Sequence, residues 1–494
     1  MTDKSVFPDP VYRDTVLAPL FEGVKNNYAG YMGAVNQAHL VMLVETKILS
    51  PEHGCDIANA LIGIEADTDI STLRYTGEHE DYFFLVEAEL RRRLGDLGGA
   101  LHTARSRNDM DHTLFKLALQ SRAELMLTQI NNLAAALIDK AKAEQDTLIV
   151  AYTHGQPAQP STFGHYLAAV IEVLLRDADR LNAAIAGLDH CPMGAAAITT
   201  SGFPINRERV AELLGFSGPL VNSYGCIAGV DYITGLYSAI KLVFLHLGRV
   251  VQDMAFWAAF EVGQLYVPNA LVQISSIMPQ KRNPVPIEHM RHMASVTVGR
   301  CDTMVNTMHN TPFTDMNDSE GEVQQAGYAA FESGGRVLEL LAAFLPACGI
   351  NEDRVAQTTD AACITITELA DTLVRGEGLS FRQAHEVAAI TAKSVIERKS
   401  SLAHGYADFL GAFVSETGNV ASMTQAQFET AVSAKEFVAR RDRTGGPAPA
   451  ALERALQASS AGLTTLIDQQ HQRSERRTNA SAQLQQAFTT LTEH

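Results

Sequence analysis

Three stretches of the 494-residue chain concentrate side chains that bind charge or move protons. The first is Leu101-His-Thr-Ala-Arg-Ser-Arg-Asn-Asp109, which sets two guanidiniums and an amide between apolar segments. Arg107 and Asn108 could hold a carboxylate through charge-assisted hydrogen bonds. The same residues could equally form a solvated turn that caps the next helix. The second is Tyr152-Thr-His-Gly-Gln-Pro-Ala-Gln-Pro160, a hydroxyl, an imidazole and an amide held by two prolines. His154 is a candidate proton carrier, although an isolated histidine is more often structural. The third is Gln273-Ile-Ser-Ser-Ile-Met-Pro-Gln-Lys-Arg-Asn-Pro-Val-Pro-Ile-Glu288. Its three prolines exclude a regular helix, so its two serines, Lys281 and Asn283 sit on a loop that offers a base, a cation and an amide donor.

The elements that must position these stretches are helical. Leu236, Ile240, Val243, Leu247, Val250, Met254 and Trp257 alternate steps of four and three, which predicts one apolar face of a long helix. Leu119, Met126, Ile130, Leu133 and Leu137 predict another, and the run from about 163 to 188 a third. Period-two strands are few. The pattern predicts an all-α chain with a long helical bundle over 112–365, flanked by helical units at 1–111 and 366–494. Arg-Thr-Gly-Gly-Pro-Ala-Pro at 443–449 interrupts the last unit, and the polar tail from about 467 is expected to be one exposed helix.

Composition narrows the chemistry. There are 39 basic against 56 acidic residues, a net charge of −17, which argues against nucleic acid or an anionic membrane as partner but leaves room for a local anion site. The six cysteines are scattered, as expected in a reducing cytoplasmic setting. No leader-like segment is read at the N-terminus, and the most apolar window, 236–257, contains Lys241, Arg249 and Asp253, so it reads as a buried helix. A Walker loop, a Gly-rich dinucleotide turn and a zinc-binding His–Glu helix are absent. No metal or cofactor is therefore expected.

The third stretch resembles the Ser-Ser-x-x-Met-Pro-x-Lys-x-Asn-Pro signature of the fumarase/aspartase superfamily. The first two resemble loops of its argininosuccinate lyase branch. Pro192-Met-Gly-Ala-Ala-Ala with Phe203-Pro-Ile-Asn-Arg207 is similar to that branch's Gly/Ala-rich hairpin. Ala370-Asp-Thr-Leu-Val-Arg with Phe381-Arg-Gln-Ala-His-Glu386 is similar to its C-terminal domain, and Gly445-Gly-Pro-Ala-Pro449 to its closing loop. The resemblance implies a three-domain subunit, a homotetramer with a twenty-helix core, and active sites built from three subunits. It implies β-elimination from a succinyl group, releasing fumarate without a metal or organic cofactor.

By the same resemblance Ser275 is the base, aided by His154 and Glu288. Lys281, Asn283, Arg107, Asn108 and Thr153 clamp the carboxylates, with Ser276 and Met278 on the same loop against the substrate. The loop around 273–286 is expected to close over it. A serine hydroxyl is a weak base, so Ser275 needs surroundings that favour its oxyanion, such as backbone amides. Ile274 stands where the family carries glycine.

The amine half of the site departs from the branch. Phe21 and Lys25 occupy the positions of a serine and an aspartate that hold a guanidinium. Pro312, Asn317 and Glu320 replace tyrosine, glutamine and lysine. His79-Glu-Asp-Tyr-Phe83 replaces His-Glu-Asp-Ile-His, and Gly155 replaces leucine, making room. Lys25 would attract a carboxylate. The expected substrate is thus an N-substituted aspartate with a distal acid, such as ethylenediamine-N,N′-disuccinate, giving fumarate and N-(2-aminoethyl)aspartate, then ethylenediamine. The alternatives are argininosuccinate, giving fumarate and arginine, and a catalytically silent crystallin-like relative; adenylosuccinate is a weaker option.

Overall fold

The structure is a computed structural model that describes residues 7–493. Its centre is five long helices: α1 (Arg107–Ala143), α2 (Phe163–Gly187), α3 (Asp231–Ala258), α4 (Val285–Thr307) and α5 (Gly321–Ala347). Each packs on two others in a closed ring, α1–α2–α3–α4–α5 and back to α1. The expected stripe of α3 faces the interior, with Val250 half-buried and the other six residues buried. This helix is long and apolar enough to cross a membrane, yet that stripe is spent on the bundle core.

Local sequence sets the ends. Ser106 and Asp109 form a capping box that starts α1, and the Thr162 side chain accepts the His165 amide to start α2. Phe163 N–H and Gly164 N–H bond the Thr147 and Glu144 carbonyls, so α2 starts where α1 stops and runs antiparallel to it. Glycines let the ring close tightly. A Cβ on Gly334 of α5 would stand 2.5 Å from the Phe244 ring of α3 and 2.9 Å from Met126 of α1.

The strands are short and pair in three antiparallel sheets: β1 (Leu148–Thr153) with β2 (Gln156–Thr162), β3 (Leu265–Tyr266) with β6 (Gly349–Ile350), and β4 (Gln273–Ile274) with β5 (Arg282–Asn283). All lie at chain reversals of the bundle. The stretch 192–206 carries no strand, contrary to the expected hairpin. It is an irregular loop whose Gly194 and Ala196 amides donate to the buried Asp109 carboxylate, a partner that replaces strand pairing.

A second, smaller core joins Leu369, Leu373, Phe409, Phe413 and Phe428, carried on Ile366–Glu377, Phe381–Glu397, Tyr406–Thr417 and Gln425–Val432. The last helix, α6 (Pro449–Thr492), leaves that core and returns to the main one. Its tail is not the exposed helix expected. Leu484, Phe488 and Leu491 are buried, and Arg473 pairs with Glu124 of α1 at 2.7 Å, because one side of a polar-looking sequence carries a regular apolar stripe.

Gly334→Ala should overpack the α1–α3–α5 contact and cost about 1–3 kcal/mol, read as a lower denaturant midpoint with unchanged helical content.

Candidate active site

The capping box of α1 sets the first stretch. Ser106 N–H donates to Asp109 Oδ1 at 2.9 Å, so the turn expected as a cap is one, and it also aims Arg107 outward. The two arginines part company. Arg105 is buried, with its guanidinium on Asn36 Oδ1 at 2.8 Å, and is structural. Arg107 and Asn108 line a cavity of about 430 Å³ between the N-terminal helices and the start of α5. The Arg107 guanidinium reaches Asp81 at 2.7 Å, Glu80 at 3.2 Å and Asp111 at 3.8 Å. Asn108 Nδ2 donates to the Ala197 carbonyl at 3.3 Å.

That cavity is acidic beyond what Arg107 neutralises. Asp81, Asp111, Asp315 and Glu320 all line it. Burial, aided by Asp81, Asp315 and Asp109, lifts the Asp111 carboxyl to about 7 against the pull of Arg107. Burial and the neighbours Asp111 and Asp315 raise Glu320 as well. Asp111 follows Arg107 by one helical turn and was findable from spacing. Asp315 and Glu320 come from 200 residues away and were not.

Lys25 is not in this cavity. Its side chain is buried, pairing with Glu22 at 2.6 Å and donating to the Leu73 carbonyl at 3.2 Å. The neighbouring Val24 faces the cavity instead, so the expectation of a Lys25 carboxylate contact fails on helical phase.

The second stretch is the β1–β2 hairpin. Thr153 ends β1, and His154 and Gly155 form the turn with φ of 52° and 73°. Two successive positive φ values are the mark of a type I′ hairpin turn, which explains the glycine at 155 as backbone freedom. Both Thr153 and His154 are exposed.

The third stretch is also a hairpin. Ile274 pairs with Arg282 in β4–β5, and a β-branched residue suits that extended backbone where a glycine would only loosen it. At its tip the Ser275 hydroxyl oxygen accepts the Met278 amide at 3.2 Å and the Ile277 amide at 3.5 Å. Two N–H groups thus point at the oxygen that would carry the base's charge. Ser276, Met278 and Lys281 are exposed on this loop, Asn283 is half-buried, and Glu288 is exposed in the first turn of α4.

These groups do not all meet in one chain. The hairpin sits at the far end of α1 from Arg107, with Tyr152 packed on Phe256 near the end of α3. The serine loop follows β3 at that same far end. The 37 residues of α1 set Arg107 and Asn108 about 55 Å from the hairpin. Among the described residues no group of three or more His, Cys, Asp or Glu side chains is placed to hold a metal ion.

Residues 48–299 match the lyase family model, and residues 363–439 match the argininosuccinate lyase C-terminal model. Argininosuccinate lyase 2 of Agrobacterium fabrum is 58% identical over 99% of this chain and 98% of its own length. The chain belongs to the fumarase/aspartase superfamily, in its argininosuccinate lyase-like branch. Argininosuccinate lyase 1 of Shouchella clausii is 32% identical over 90% of the chain and 89% of its own. EDDS lyase in complex with formate superposes with a TM-score of 0.83 at 28% identity, covering 98% of this chain and 99% of the other. The protein is a carbon–nitrogen lyase of this superfamily.

The cavity acids give this lyase a stability signature. The pKa values of Asp81, Asp111 and Glu320 in the folded chain lie above the unfolded ones, so folding takes up protons. Stability is full below the ordinary carboxylate range and falls as pH rises from about 4 through about 7 for Asp111. Glu320→Gln should remove part of that fall, raising stability by on the order of 1 kcal/mol at about pH 8 and little at about pH 4. Thermal melts at the two pH values check this.

Proposed function

We propose that the protein cleaves the C–N bond of an N-substituted L-aspartate whose amine half carries positive charge, releasing fumarate and the free amine. The observation that carries this reading is the pair of amides on the Ser275 oxygen, which suits that oxygen to act as the base. Ser275 takes a proton from the succinyl carbon adjacent to the one that bears nitrogen, and the carboxylate on that carbon takes up the developing negative charge. The C–N bonding pair then leaves with the amine, which picks up a proton. Lys281, Asn283, Thr153, Arg107 and Asn108 hold the carboxylates as negative charge builds on one of them. His154, with Glu288, orients the substrate or protonates the leaving amine. The serine loop closes over the bound molecule.

We infer further that the site is completed between copies of the chain in a homotetramer. One subunit cannot bring Arg107 to the hairpin across about 55 Å, whereas antiparallel bundles lay one end of α1 beside the other end of a neighbour's. Leu125, Leu245 and Val296 stand exposed on α1, α3 and α4, as a bundle face awaiting a partner would have them. The composition and free cysteines support a cytoplasmic setting.

The amine half is read from the cavity. With Lys25 turned away, the support for a distal acid on the substrate is lost, and Asp111, Asp315 and Glu320 favour a cationic arm instead. Ethylenediamine-N,N′-disuccinate meets that description through its ammonium groups, and Glu320 in place of lysine favours it. Argininosuccinate meets it through its guanidinium, and the 58% identical relative bearing that name favours this second reading.

Ultraviolet absorbance of fumarate, followed with both substrates in parallel and no metal added, decides between them. Fumarate from either supports that substrate, and silence on both leaves the amine to be found with a panel of amines and fumarate; inertness across that panel favours the crystallin-like alternative. Ser275→Ala should lower turnover at least about 100-fold on the active substrate with little change in KM. Retained activity would remove Ser275 as base. Light scattering should find a tetramer, and a fully active monomer near 53.5 kDa would overturn the shared site.

A further inference from the structure

Between the histidine hairpin and the serine loop runs a line of contacts that belongs to neither motif. Gln264 lies just before β3 and is buried. Its side-chain amide satisfies both polar backbone groups of a single residue: Oε1 accepts Val150 N–H at 3.1 Å, and Nε2 donates to Val150 C=O at 3.3 Å. Val150 lies on β1, fully buried and opposite Pro160, and four residues later the chain reaches His154. The Gln264 amide thus works as a third strand one peptide wide. Without it, two buried backbone groups lose their partner.

The line continues from Gln264 to the serine loop. The Gln264 carbonyl accepts Asn351 N–H at 2.8 Å, and the following two residues, Leu265 and Tyr266, pair with Ile350 and Gly349, so this segment is fixed to the end of α5. The Val267 carbonyl then accepts the Arg282 guanidinium at 2.6 Å, and that group lies 5.0 Å over the Tyr266 ring. Arg282 faces Ile274 in β5–β4, one residue before Ser275.

We propose that Gln264 is a positioning residue of the lyase, holding the Thr153–His154 hairpin in fixed register with the stem of the serine loop. It touches neither substrate nor base; it acts through Val150 on one side and through Val267 and Arg282 on the other. The inference rests on the lyase reading above and adds to it a residue that the motifs do not contain. Gln264 is well suited to the task, because an amide supplies one donor and one acceptor at peptide spacing, which an acid, an alcohol or an apolar side chain does not. The consequence is catalytic because small displacements of a proton-moving group weigh heavily on turnover.

The test uses the full-length protein carrying Gln264→Met, which keeps the length and removes both hydrogen bonds. Hydrogen exchange should rise about tenfold or more across 148–162 while α1–α5 keep their protection. On the active substrate kcat should fall about tenfold or more with a smaller rise in KM, because Thr153 and His154 move together while the other carboxylate-binding groups stay. Arg282→Met should speed exchange at 273–283 and leave 148–162 unchanged. If Gln264→Met does not fold, Gln264→Glu, which keeps the shape and loses the donor when ionised, should show the same pattern in milder form. Unchanged exchange in the hairpin would overturn the tether. Faster exchange with wild-type kcat, or a lowered melting temperature with wild-type kcat, would make Gln264 merely structural. A wild-type protein inert on every N-substituted aspartate would defeat the lyase reading instead, with the exchange data still deciding the tether.

Discussion

The length of α1 governs the rest of the structure. A helix cannot be compressed, so its 37 residues hold the Arg107–Asn108 pair and the His154 hairpin about 55 Å apart. Every other long helix packs against it or its neighbours and inherits that span. The chain therefore presents its polar loops at two ends: the Arg107–Asn108 pair set among acids at one, a serine loop and a histidine turn at the other. Each end is well built locally and incomplete chemically. On the function proposed above, assembly between copies completes the site, and the ring of helices acts as a spacer as well as a core.

Charge at the two ends differs in kind. At the Arg107 end, one guanidinium faces several carboxylates, and burial makes Asp81, Asp111 and Glu320 reluctant to ionise. Such a pocket gains stability by accepting a cation, because the ligand restores the missing counter-charge. At the other end Thr153, His154, Ser276 and Lys281 are exposed, with no counter-ion on Lys281 among the described residues, and backbone amides surround the Ser275 oxygen. On the proposed reading, carboxylates suit that end, and the acids around Arg107 suit a cationic amine.

Legibility from sequence varied by the range of the interaction. Leu119, Met126, Ile130, Leu133 and Leu137 announced α1 because burial on one helical face needs only spacing along the chain. Gly155 was read as spare room, whereas its φ of 73° beside His154 shows a turn requirement. Ile274 looked like a departure, and its pairing with Arg282 turns it into an ordinary strand residue. The tail after 467 looked exposed because its composition is polar; Leu484, Phe488 and Leu491 still form a buried stripe on a helix that packs against α1, α2 and the N-terminal helices Ala29–Glu45 and Pro51–Asp67. Lys25 was misplaced because its position rested on an alignment register, and one step on a helix turns a side chain by about 100°.

By itself the sequence determined the helical class, the lengths of the long helices, and the serine, histidine and arginine loops with the elimination chemistry their motifs imply. These are matters of periodicity, proline and glycine placement, and residue type, which act between near neighbours in the chain. Tertiary structure alone decided which groups share a cavity. It turned Lys25 toward Leu73, gathered Asp111, Asp315 and Glu320 around Arg107, and set Gln264 across Val150. Those contacts join residues tens to hundreds of positions apart, and their partners are fixed by how the helix ring closes, which no local pattern encodes.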